Sequence, residues 1–168
     1  MRAIKAAWTT CVLDRVASSR METERWLCAA WAGKTTEVPV GRTHLAITVE
    51  LVSGGHAGNL WPRPGRIMIA SRTTTFEQLA KAIDDAFARW DRAHLHEFTL
   101  TDGTPVSPAS TWDGDEPEGT LDGSKTRLGR LRLGEQFAYV FDLGDNWQHL
   151  CTVAPRLTDP VEALGLAK

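Results

Sequence analysis

The segment FDLGDNWQHLCTV at residues 141–153 constrains the fold more than any other part of the chain. Aromatic side chains occupy every second position of residues 137–141, and a second alternating run, WQHLCTV, fills residues 147–153. The intervening DLGDN is typical of a tight turn, because Gly tolerates positive φ and Asx side chains bond nearby N–H groups. The segment therefore predicts a β-hairpin that packs against an apolar core.

The region before this hairpin indicates an α+β fold. Residues 44–52 read HLAITVELV, with apolar residues at alternate positions, as in a half-buried strand. Residues 75–90 instead carry apolar side chains at helical spacing, and Thr75 with Gln78 matches a capping box. We therefore expect a mixed β-sheet with one long amphipathic helix packed across it, in a possible β-grasp-like arrangement.

The helical spacing gives the predicted helix two faces. The apolar face runs as far as Trp90, and the opposite face carries successive i,i+4 pairs of opposite charge. These charged residues are Glu77, Lys81, Asp85 and Arg89. We expect the apolar face to pack on the sheet and the charged face to contact water.

The chain divides into an extension and a folded domain. Residues 1–42 contain seven basic and four acidic side chains, a net charge of +3 against -2 for the whole chain, and no sustained helical or strand period. This composition predicts an N-terminal extension that is poorly ordered or partly helical, followed by a domain at residues 43–168. Within that domain, residues 102–123 are rich in acids, Pro and Gly, which is typical of a long mobile loop.

Two clusters contain the side chains that could bind a ligand. They are His94, His96 and Glu97 in the HLHE segment, and Asp142, Asp145, Trp147 and His149 in the hairpin. Imidazole and carboxylate groups suit zinc or iron, but HLHE lies where a helix gives way to a strand, so its two histidines need not converge. We therefore assign these seven residues to binding, and predict no catalytic residue, metal or cofactor.

Charge and cysteine content bear on the partners and the location. The basic residues Lys125, Arg127, Arg130 and Arg132 follow a strongly acidic segment and have no interleaved aromatics, so nucleic-acid binding is disfavoured but stays open. Three cysteines without CxxC spacing are typical of reduced thiols. No apolar run is long enough to span a bilayer. We expect a cytoplasmic protein.

Four segments in this order resemble one known family. They are LWPRPGRIMI at residues 60–69, FEQLAKAIDDAFARWDRAHLHEFTL at 76–100, FDLGDNWQHLCTV at 141–153 and DPVEALGL at 159–166. Together they resemble the plasmid pRiA Orf-three-like domain family, in particular its bacterial insertion-element passenger branch labelled TnpR. The resemblance implies an α+β domain with a helix across a mixed sheet. It also implies that the domain at residues 43–168 is C-terminally shortened.

The functional expectation combines this resemblance with the absence of an enzyme signature. The sequence has no P-loop, no GxGxxG after a strand and no GxSxG. We expect an accessory (passenger) protein of a mobile genetic element that is a non-catalytic binding or interaction domain with a protein partner. Two alternatives stay open. One is a metal-assisted hydrolase or small-ligand-binding protein that uses the two clusters, and the other is a DNA-associated transposition helper.

Overall fold

One mixed β-sheet organises the part of the chain that the computed structural model describes, residues 42–91, 93–112 and 117–165. The elements are β1 His44–Ser53, β2 Gly65–Ser71, α1 Phe76–Ala86, β3 His96–Thr99, β4 Pro105–Ser107, β5 Leu121–Asp122, β6 Gln136–Phe141, β7 Trp147–Val153 and α2 Pro160–Ala163. The strand order is β2-β1-β7-β6-β3-β4-β5, and only the β4–β5 pair is parallel. The α+β class is therefore confirmed. The β-grasp arrangement stays a prediction, and the extension lies outside the described residues except for Arg42.

The hairpin predicted from residues 141–153 forms the centre of this sheet. Strands β6 and β7 pair antiparallel, with Phe141 opposite Trp147 and Tyr139 opposite His149. Strand β1 pairs with β7 on the other side, and the alternation predicted for it is present, since its apolar residues are buried at every second position. Hairpin and alternation signals are local in sequence, which explains why they could be read without the structure.

Helix α1 covers one face of the sheet and completes the core. Phe76 at its first turn is fully buried, and its ring meets the Phe98 and Phe137 rings edge-on at centroid distances of 5.2 and 6.2 Å. The predicted capping box is formed: the Thr75 side chain accepts from the Gln78 N–H at 3.3 Å, and Gln78 Oε1 accepts from the Thr75 N–H at 2.9 Å. This start fixes where the helix face meets the sheet.

The prediction of a long helix is wrong, because α1 ends at Ala86 after 11 residues. Ala88 adopts a left-handed φ of 56°, and the N–H groups of Ala88 and Arg89 bond back to the carbonyls of Asp85 and Asp84. This pattern is a Schellman motif, which usually has Gly at the left-handed position and here has Ala. Trp90, placed on the apolar face by its spacing, is consequently 91% exposed.

The segment predicted as a long mobile loop contributes the last two strands at one side of the sheet, β4 and the edge strand β5. β4 pairs with β3, and β5 lies beside β4. Trp112 lies near them, and its indole N–H donates to Ser107 Oγ at 2.9 Å. Composition alone could not reveal these strands, because three and two residues are too few to show an alternating pattern. Within the described ranges, no helix combines the length and apolar character of a bilayer-spanning segment.

Candidate functional site

Three connections meet at one end of the sheet, and we call this region the loop end. They are residues 54–64, residues 87–91 with 93–95, and residues 142–146. They meet because β1, β6 and α1 finish at this end, whereas β2, β3 and β7 begin there. Arg66 at the start of β2 donates through Nε to the Ala86 carbonyl at 3.2 Å, which links α1 to the sheet. All seven predicted site residues lie at or beside the loop end.

The HLHE and LGDNW segments meet in space. His96 pairs with Phe141 across β3 and β6, and the Asp142 N–H donates to the Leu95 carbonyl at 2.9 Å. His94 Nδ1 lies 3.2 Å from Asp142 Oδ2, and its Nε2 lies 3.3 Å from Asp91 Oδ2. The sequence clusters are therefore joined by a partly exposed histidine held between two carboxylates.

Asp142 and Asp145 both take part in hydrogen bonds that shape the hairpin turn. Asp142 has a φ of 57°, and its Oδ1 accepts from the N–H groups of Gly144 and Asp145 at 3.0 and 3.3 Å. The Asp145 carbonyl accepts from the Gly55 N–H at 2.7 Å, which ties the turn to the β1–β2 connection. Asp142 thus shapes the turn with one carboxylate oxygen and faces His94 with the other.

His96 and Glu97 project to opposite faces of the sheet, because successive strand residues alternate. The His96 ring lies 5.9 Å from the Tyr139 ring on the core side, and burial lowers the pKa of His96. Glu97 is paired with Val140 and is partly exposed. The two neighbours in sequence therefore do not converge on one ligand.

His149 is a core residue, only 2% exposed. Its Nδ1 lies 3.3 Å from the Tyr139 carbonyl, so Nδ1 is the protonated nitrogen of the neutral ring. Burial, and then the nearby Arg89 charge, lowers its pKa to about 4, although the Tyr139 and Trp147 carbonyls oppose this shift. Its Nε2 is buried and has no hydrogen-bond partner.

These positions bear on the metal alternative. The described ranges contain no group of three or more His, Cys, Asp or Glu side chains that could hold a metal ion. His94 and Asp142 contact each other near the surface, whereas His149 lies in the core. The metal-assisted hydrolase stays a prediction, for metal analysis of the purified protein to test.

Arg89 is the residue of the loop end that the sequence interpretation missed. Its Cζ lies 4.3 Å from the Trp147 ring centroid and 5.4 Å from the Phe141 ring centroid. Its Nε and Nη2 are buried with no hydrogen-bond partner, and burial lowers its pKa while the Asp84 charge opposes that shift. The helical spacing placed Arg89 in water, but the left-handed turn at Ala88 redirects it, and no Gly marks that turn in the sequence.

Asp84 and Tyr139 form the buried polar contact beneath Arg89. The Tyr139 hydroxyl donates to Asp84 Oδ1 at 2.8 Å, and both residues are almost fully buried. Burial, together with the Asp84 carboxylate, raises the pKa of Tyr139, so the phenol stays protonated and keeps donating. Asp84 Oδ1 therefore accepts its hydrogen bond from Tyr139 and not from Arg89.

Trp147 is seated on the glycines of the β1–β2 connection. A Cβ on Gly54 would lie 2.3 Å from Trp147 Cε3 and 2.9 Å from its Cα, closer than real side chains come. Gly54 has an extended φ of 164°, so the requirement is for space and not for backbone conformation. The close approach explains Gly54, whereas Gly55 adopts a left-handed φ of 52° that favours glycine.

The loop end also carries most of the exposed large apolar side chains in the described ranges. Trp61 is 89% exposed, Trp90 91%, Leu95 49% and Leu143 52%. Leu133, 47% exposed, precedes β6 at the opposite end. Four of these five residues therefore lie on the connections that form the loop end.

The basic residues proposed for DNA binding lie at the opposite end. Lys125 Nζ lies 3.0 Å from Asp122 Oδ2, and Arg130 Nη2 lies 4.0 Å from Asp102 Oδ2. The segment that carries them includes a 3₁₀ turn, Leu128–Arg130, whose Leu128 is fully buried. This segment is therefore packed against the core through Leu128.

The chain is similar to a protein family and to a solved structure. The family model described as plasmid pRiA4b ORF-3-like protein matches residues 59–165. The fold is similar to the crystal structure of a protein of unknown function, MM3350, from Methanosarcina mazei Go1, with a TM-score of 0.51 and 22% sequence identity. That match covers 68% of this chain and 58% of the archaeal chain. A search of curated proteins finds no match.

Proposed function

The chain belongs to the plasmid pRiA4b ORF-3-like protein family, and on that basis we propose that it is an accessory protein of a mobile genetic element. In this proposal it acts in the bacterial cytoplasm as a non-catalytic domain that binds a partner protein through the loop end. The plasmid origin in the family description supports the mobile-element role. The surface of the loop end supports the binding role.

The exposed apolar side chains of the loop end carry this proposal. Clustered exposed apolar residues mark interaction surfaces, and tryptophan is over-represented among the residues that dominate binding energies. Trp61 and Trp90 are almost fully exposed on two connections that flank the hairpin turn. Each would bury a large apolar area against a partner.

A peptide segment of another protein fits this surface better than DNA. The loop end carries both charges, with aspartates 91, 142 and 145 beside Arg63 and Arg89, so it lacks the predominantly basic surface that a phosphate backbone favours. The basic residues suggested for DNA lie at the other end, where Lys125 and Arg130 each have an acidic neighbour. We therefore commit to an extended peptide segment as the occupant.

Selection from a library of displayed short peptides tests this proposal on the full chain. A synthetic copy of an enriched peptide should bind saturably, and Trp90→Ser should weaken binding about tenfold, a typical loss for a truncated interface tryptophan. The matched control is Leu133→Ser, which removes an exposed apolar side chain at the opposite end and should change the affinity less than twofold. Failure to enrich any peptide, or an equal loss in the control, would overturn the proposal.

The metal-assisted hydrolase is the second candidate, favoured by the contact between His94 and Asp142. Zinc, iron and manganese measured in the purified protein distinguish the two functions. The binding proposal predicts sub-stoichiometric metal that does not change in His94→Ala. Stoichiometric metal that is lost in His94→Ala would favour the hydrolase.

A further inference from the structure

We propose that Arg89 is the anchor of the loop end, and that it binds the carboxylate of an acidic side chain in the partner peptide. This inference rests on the proposed function, since it names the group that the same surface recognises. The observation behind it is a guanidinium that lies against two aromatic rings and has two buried donors without an acceptor.

The unused donors of Arg89 are on one edge of the guanidinium. Nε–H and the outward Nη2–H point in parallel, and this side-on fork matches the two oxygens of a carboxylate. Both nitrogens are buried with no partner. The rings of Phe141 and Trp147 that flank the group offer no oxygen or nitrogen acceptor, because the indole N–H only donates.

Arg66 provides the internal comparison. It also stacks on an aromatic ring, with Cζ 5.2 Å from the Phe87 centroid. Its Nε donates to the Ala86 carbonyl at 3.2 Å and its Nη1 donates to the Gly65 carbonyl at 2.9 Å. The fold therefore supplies acceptors to one stacked arginine and none to the buried edge of the other. Burial of unpaired donors is costly, so a binding role explains their retention better than a structural one.

The charges around Arg89 favour a carboxylate over a phosphate. The Asp84 charge opposes the lowering of the Arg89 pKa by burial, Asp91 lies on the same connection as Arg89, and Asp142 lies on the neighbouring hairpin turn. A dianionic phosphate would face these carboxylates, whereas a monoanion matches a single arginine. Arg89 as a whole is only partly buried and follows the end of α1. Binding of a carboxylate therefore requires a local displacement of this segment, because Nε and Nη2 are buried.

Titration of the full chain with benzoate, with benzamide as the neutral control, tests the inference directly. In nuclear magnetic resonance spectra, the Arg89 Nε–H signal should shift saturably with benzoate and not with benzamide. The backbone amides of Phe141 and Trp147, whose rings lie against Arg89, should report the same saturable shift. Arg89→Lys keeps the charge but loses the fork, and should abolish the shift of those amides. The matched Arg66→Lys should retain it. An Arg89 signal that does not respond to benzoate, or responds equally to benzamide, would overturn the inference.

A double-mutant cycle separates this inference from the proposed function. In a selected, C-terminally amidated peptide, exchange of its acidic residue for the amide should weaken binding to the native chain about tenfold. The same exchange should change binding to Arg89→Lys less than twofold. If the acidic peptide and its amide analogue bind the native chain equally, Arg89 does not bind a carboxylate, and the loop end remains a binding surface.

Discussion

The two ends of the sheet differ in how their polar groups are satisfied. At the end where α1 begins, which we call the capped end, Thr75 and Gln78 complete a capping box and the Glu77 N–H donates to the Gly123 carbonyl at 3.0 Å. Asp122 Oδ1 there accepts from the Ser124 N–H and hydroxyl at 2.9 and 2.7 Å. Its buried Oδ2, which has no well-aligned hydrogen bond, forms an ion pair with Lys125 Nζ at 3.0 Å. At the loop end, Arg89 keeps two buried nitrogens and His149 keeps one without a hydrogen-bond partner.

This difference indicates that the two ends of the sheet have different roles. Satisfied buried groups stabilise a fold, whereas unsatisfied ones lower its stability and are expected where a ligand supplies the missing partner. Hydrogen bonds to Ser124 are the main reason why the Asp122 pKa is lowered to about 2, so that carboxylate stays ionised over the ordinary pH range. The capped end is built for stability, and the loop end has the features of a binding surface.

The largest expected effect is at the capped end. Phe76→Ala removes a fully buried ring that contacts Phe98 and Phe137, and should lower the free energy of unfolding by about 3–5 kcal/mol. Urea denaturation measures this change. Phe87→Ala at the loop end is the control, and it should cost less because Phe87 is only partly buried. An equal or larger loss of unfolding free energy in Phe87→Ala would contradict the assignment of stability to the capped end.

His149 should make stability depend on pH. Its pKa is about 4 in the fold against an ordinary 6.5, so the unfolded chain takes up a proton first as the pH falls. Stability is therefore complete above pH 6.5 and lost toward pH 4, by about 2 kcal/mol at pH 5. His96 adds a loss of the same sign, since burial lowers its pKa too.

Urea denaturation at a series of pH values checks this prediction. His149→Gln should flatten the dependence between pH 6.5 and 4, and the exposed His56→Gln should leave it unchanged. A native chain whose free energy of unfolding stays constant across this window would show that His149 does not titrate as described.

The smallest expected effect is at Gly54, against which Trp147 packs. Gly54→Ala should lower the free energy of unfolding by about 1–2 kcal/mol and weaken peptide binding, because the new Cβ displaces Trp147. Gly65→Ala is the control, since its Cβ would meet Val49 O at an ordinary 3.7 Å. Denaturation and peptide affinity together measure the result. If Gly54→Ala bound peptide like the native chain, Trp147 would have no part in the site.

The sequence predicted the parts of the fold that local patterns determine. The hairpin, strand β1 and the capping box were all readable because each depends on neighbours in the chain. The end of α1 was not, because Ala88 takes a left-handed conformation that spacing alone would assign to helix. That one turn moved Arg89 from the predicted solvent face to the rings of Phe141 and Trp147, and exposed Trp90. The site was missed because it depends on tertiary contacts.

A chemical-shift map of the full chain with a selected peptide tests the central claim most directly. If the loop end is the binding surface, the perturbed amides should fall in residues 54–64, 87–95 and 142–149, and those of residues 122–132 should stay unchanged. Perturbations centred on residues 122–132, with the loop end silent, would contradict the account.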